Sequence, residues 1–81
     1  MTPADHRSLA EHYQQAAKAA VAKAEEHKQL LDQYKAKSYR YGKRAESLES
    51  HCEALIRLYQ QVAKAHGEMA QMHRQMAMEA H

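Results

Sequence analysis

The chain has no tryptophan and no phenylalanine, one cysteine, one proline and two glycines in 81 residues. Each shortage excludes something. With Cys52 alone, no disulfide can form within the chain. An unpaired thiol fits a reducing compartment, or an oxidising one if it is buried or ligated. Pro3, Gly42 and Gly67 are the only strong breakers, too few to punctuate a set of strands. No stretch approaches the ~20 apolar residues that a membrane span needs. No secretory signal is recognisable, and the opening residues suit a helix start in a processed form. The formal charge is +2, with lysine and arginine interleaved with acidic residues except around Lys35 to Arg44. The five tyrosines follow no stacking pattern of a single-strand binder, so a nucleic-acid partner is not expected. Catalytic signatures are missing too. There is no Glu-x-x-His, His-Glu-x-x-His, Cys-x-x-Cys, covalent-haem motif or glycine-rich phosphate loop, and the chain reads as a non-enzyme.

What is present is helix-forming chemistry. Alanine, glutamine, lysine and glutamate dominate the sequence. Thr2-Pro3-Ala4-Asp5 is a helix start, with a capping hydroxyl, a first-turn proline and an acid at the positive end of the helix dipole. The pattern predicts one domain over residues 1–81. Helix 1 covers about 3–38, a turn about 39–43, and helix 2 about 44–79. Gly42 is the residue able to take a left-handed cap, while Gly67 costs its helix up to ~1 kcal/mol against alanine.

Both predicted helices carry a seven-residue repeat. His6, Tyr13, Ala20, His27 and Tyr34 form one inward line, flanked by Ala10, Ala17, Ala24 and Leu31 on one side and Leu9, Ala16 and Leu30 on the other. Ala45, Cys52, Tyr59, His66, His73 and Ala80 form the second line. Its flanks are Leu48, Leu55, Val62, Met69 and Met76, then Ile56, Ala63, Ala70 and Ala77. Such repeats argue for left-handed, knobs-into-holes packing of antiparallel neighbours. Two rods of ~50 Å leave much of both stripes wet. A chain this small is marginal unless stapled by metal or self-association. The expected architecture is therefore an all-α antiparallel helical hairpin that pairs into a homodimeric four-helix bundle.

Seven histidines are spread along the chain. His12 and His81 read as exposed bystanders. His6, His27, His66 and His73 lie on the inward lines, where their ring nitrogens need partners. With the turn centred near Tyr41, residues whose numbers add to about 82 share a height. His6 then falls level with Met76 and close to His73. His27 falls level with Leu55 and within a turn of Cys52, with His51 at the layer's edge. His66, Met69, His73 and Met76 form one stripe of two His-x-x-Met units, with Met72 beside it. Imidazole with thioether or thiolate is a soft donor set that suits Cu(I), or another soft or borderline ion. The candidate ligands are His6, His27, His51, Cys52, His66, Met69, His73 and Met76. Methionines at helical spacing also serve as core filler, and layered His and Tyr also serve to fix bundle register.

Several segments look alike to a known group: Asp5-His6 with Leu9-Ala10 and Tyr13, Glu26-His27, Lys37-Ser38-Tyr39 before Tyr41-Gly42, His51-Cys52-Glu53-Ala54-Leu55-Ile56-Arg57, and Met72-His73-Arg74-Gln75-Met76-Ala77. Over nearly its whole length the chain resembles small bacterial exported helical-hairpin proteins. That resemblance implies a periplasmic or otherwise exported location. Locally, the His-x-x-Met units are similar to those of periplasmic copper- and silver-sponge proteins. Three functions compete: soft-metal storage, delivery or detoxification; a non-catalytic structural or interaction module; and non-covalent haem binding through His27 or His73.

Overall fold

The computed structural model describes residues 1–79; Ala80, the last position of the second inward line, and His81 lie outside the described residues. Helix α1 is Pro3–Ala36, α2 is the single turn Ser38–Tyr41, a 3-10 turn covers Gly42–Arg44, and α3 is Ala45–Glu79. Among the described residues there is no strand.

The start of α1 is a complete capping box. The Thr2 hydroxyl accepts from the Asp5 backbone N–H at 3.1 Å, and the Asp5 carboxylate accepts from the Thr2 backbone N–H at 3.0 Å. These bonds, the Thr2 backbone N–H foremost, hold the Asp5 carboxyl below its ordinary value.

The reversal is itself largely helical. Lys37 leaves the helical region (φ −119°, ψ 32°) and its N–H reaches Gln33 O at 2.9 Å. One helical turn follows, and Gly42 takes φ +54°, the only positive φ among the described residues. No large side chain crowds Gly42, so its role is conformational.

The two long helices lie antiparallel in a rod whose Cα extents are 62 × 13 × 12 Å. Its radius of gyration is 18.0 Å, against about 12 Å for a globular chain of this length. Among the described residues, the buried ones are Ala10, Ala20 and Ala24 from α1, and Ala45, Cys52, Ile56 and Ala70 from α3. They belong to the inward lines and to one flank of each, so one side of the seam is closed. Small side chains there let the backbones approach closely, but each buries little more than a methyl group. Ile56 is the one large aliphatic side chain in this core. Leu30, Leu55, Val62 and Met76, from the other flanks, stay exposed together with Leu58 and Met72. No helix among the described residues is long and apolar enough to cross a membrane.

Candidate metal centre

The antiparallel seam sets which side chains can meet. Observed ring contacts join residues whose numbers add to 79 (His6 with His73, Tyr13 with His66) or to 86 (Tyr13 with His73, His27 with Tyr59). The two inward lines thus interleave about a mean of 82.5, midway between 79 and 86. Rings from α1 sit between successive rings of α3.

At the open end, His6 Nδ1 and His73 Nδ1 lie 3.0 Å apart, with ring centroids at 5.2 Å and planes 29° apart. Both residues are half-buried. Two imidazoles this close share a hydrogen bond, so one carries its proton on Nδ1 and the other on Nε2. Tyr13 stacks on His73 at 5.7 Å, nearly coplanar at 6°, and on His66 at 5.7 Å and 27°. The result is a ladder of four rings: His6, His73, Tyr13 and His66.

Mid-hairpin, His27 stacks on Tyr59 at 5.6 Å and 15°. Its Nδ1 is buried and has no hydrogen-bond partner. Cys52 is buried and unpaired one helical repeat before Tyr59, on the same inward line. His51 is exposed, as is His12. Met69 is half-buried and Met76 exposed; they lie one turn before and one turn after His73 on α3.

The eight candidate ligands therefore do not gather into one centre. His6 and His73 meet, and His66 is linked to them through the Tyr13 ring. His27 is separate, and His51 points to solvent. Among the described residues, no group of three or more His, Cys, Asp or Glu side chains is placed to hold an ion. A site at the open end would need a thioether as its third donor. The sequence pattern put Tyr13 and Tyr59 on the inward lines but did not reveal that they act as ring surfaces; the heptad spacing itself was the signal.

An open groove of about 510 Å³ is lined by Arg7, Ala10, Glu11, Arg74, Ala77 and Met78, and a smaller one of about 240 Å³ by Met72, Gln75, Met76 and Glu79. Neither of these two is lined by His27 or His73, the candidate haem ligands. The chain matches no family model, no curated protein and no solved structure.

Proposed function

We propose that the chain is a soft-metal binding protein, Cu(I) favoured, acting in storage, delivery or detoxification as a homodimeric four-helix bundle in a periplasmic or otherwise exported setting. The observation that carries this reading is the 3.0 Å approach of His6 Nδ1 to His73 Nδ1 across the seam. Two lone-pair positions from helices far apart in sequence converge on one point. A cation replacing the shared proton needs about 2 Å to each nitrogen. The rings must then part by up to about 1 Å for a linear two-coordinate ion, a side-chain adjustment that leaves the backbone in place. Met69 and Met76 flank His73 and offer thioethers as a third donor. A neutral imidazole and thioether set favours Cu(I) over hard cations. The orphaned His27 Nδ1, on the inward line facing Cys52 and Tyr59, supports a second position at mid-hairpin.

Dimerisation is supported by the thin core and by the exposed aliphatic and thioether side chains on one side of the seam. A competing reading is a structural module whose inward rings only specify helix pairing. The His–Tyr stacking favours it, since the rings already find partners in one another.

Titration of the full chain with Cu(I) against a competing chelator separates the two. The metal reading expects binding tighter than micromolar, weakened at least about tenfold by His6→Ala or His73→Ala and unchanged by His12→Ala. Absence of binding tighter than micromolar would leave the structural reading.

A further inference from the structure

The hairpin has a closed side and an open side. On both helices the buried flank is the one that follows the inward line: Ala10 and Ala24 on α1, Ile56 and Ala70 on α3. In an antiparallel pair, equivalent flanks fall on the same side of the seam. The opposite flanks therefore share the open face: Leu9, Ala16, Lys23 and Leu30 from α1, with Leu48, Leu55, Val62, Met69 and Met76 from α3. Exposure follows this division. Leu55 is 36 % exposed, Met76 38 % and Val62 43 %, with Met72 at 50 % and Leu58 at 55 % along the adjoining edge.

The amount of exposed surface is sufficient for a stable interface. A folded monomer of 9.3 kDa is expected to expose about 5,000 Å², and this hairpin exposes 6004 Å². The excess, roughly 1,000 Å², is close to the ~800 Å² that each partner contributes to a stable interface.

The order of residues on the face narrows the partner to a second copy, and sets its direction. Val62 is the middle residue of α3, Ala45–Glu79. Leu55 and Met69 are each one heptad from it, and Leu48 and Met76 are each two. On α1, Leu9 and Leu30 are equally far from the helix centre, as are Ala16 and Lys23. The α3 line is thus near-palindromic in size, so a two-fold axis perpendicular to the helices brings like against like along it, while on α1 it sets Lys23 against Ala16. With loops at opposite ends, α3 packs on the partner's α3, and the wholly apolar line meets itself. On α1 each Lys23 stem then lies over a small Ala16 and its ammonium reaches water. With loops at the same end, α3 would pack on α1, setting Lys23 against Val62.

We infer that this open face is a self-complementary interface on which a second copy packs with its loop at the opposite end, the two Val62 side chains meeting on the two-fold axis. The inference rests on the proposed dimer and adds its geometry.

Two measurements keep them apart. Sedimentation of the full chain reads the mass; a monomer at every concentration would overturn both. Short bismaleimide cross-linking in a Cys52→Ala background then reads the direction. Val62→Cys should cross-link to itself, and an equal mixture of Leu48→Cys and Met76→Cys should give the mixed product. A dimer in which Val62→Cys stays uncross-linked while mixed Lys23→Cys and Val62→Cys couple would overturn the geometry and leave the dimer standing. Without any cysteine background, Val62→Glu should raise the dimer dissociation constant at least about a hundredfold by bringing two carboxylates together. Val21→Glu, exposed but off this face, should leave it unchanged; equal effects of the two would refute the assignment.

Discussion

His27 offers the sharpest test of what the inward rings do. Its Nδ1 is buried with no hydrogen-bond partner, and leaving a buried polar atom unmatched costs about 1–3 kcal/mol. Its ring also stacks on Tyr59, worth about 0.5–1.5 kcal/mol. His27→Leu removes both terms and adds apolar surface of similar volume at a half-buried position. The difference favours leucine by about 1 kcal/mol. For a domain of this size that raises Tm by about 4–8 °C. Thermal unfolding followed by helical circular dichroism would read it, at one fixed protein concentration because association shifts the midpoint. Metal must be removed with chelator first. A lower Tm for metal-free His27→Leu would refute the reasoning, because it would mean that Nδ1 has a partner, such as water or the second subunit, worth more than its desolvation.

Ile56→Ala should destabilise by about 3 kcal/mol, the cost of a cavity at the one large aliphatic side chain of the core; urea unfolding reads it, and a loss under about 1 kcal/mol would mean the seam collapses around the gap. Gly42→Ala should cost about 1–3 kcal/mol from the backbone conformation alone (φ +54°, ψ −127°), since nothing crowds the added Cβ, whereas Gly67→Ala within α3 should raise helix stability by up to about 1 kcal/mol. Thr2→Ala should cost about 1 kcal/mol through the lost cap. It should also flatten the acid limb of the stability curve. Asp5 is held below its ordinary value in the folded chain, so its contribution is fully present above the unfolded carboxyl range and is lost as pH falls through the folded value. An acid limb identical in Thr2→Ala and the parent would show that the capping box does not set it.

The fold was legible because the repeat is strict. The alanine-rich flank and the flank richer in leucine, valine and methionine lie on opposite sides of the inward lines, and that division reappears as the closed and open sides of the hairpin, with Ile56 the large aliphatic on the closed side. The height rule followed from a turn near Tyr41 and brought His6 close to His73, as observed. The end of α1 was not legible. Lys37 carries no turn chemistry in its side chain, and its departure from helical angles is set by the need to reverse, so helix 1 was expected to run to about 38 and stops at Ala36. Nor could the pattern tell how tyrosine would partner histidine. A phenol can offer its hydroxyl or its face, and the backbone separation fixed by alanines selects the face. His51 was drawn to the mid-hairpin layer by its neighbour Cys52, yet a one-residue step rotates a helical side chain by about 100°, enough to carry it to solvent.

The histidine line lies between a closed, alanine-rich flank and an open flank richer in large aliphatics and thioethers. That position makes His6, His66 and His73 half-buried in one hairpin, and only a covering partner would take their outer edges from water. If a second copy covers the open face, it also encloses any ion held by His6, His73 and a flanking methionine. Metal affinity and self-association must then be linked, and linkage is reciprocal: with one ion in each hairpin, the factor by which Cu(I) tightens the dimer is the square of the factor by which dimerisation tightens each ion. Val62→Glu, about three helical turns from His73 and without a donor lost, should weaken each Cu(I) by the square root of the ratio that separates the dimer constants of the loaded and metal-free parent. Competitive titration of the variant beside sedimentation of the parent, with and without metal, measures the two ratios independently. Ratios of one in both measurements would show that the ion is held within a single hairpin and takes nothing from the partner.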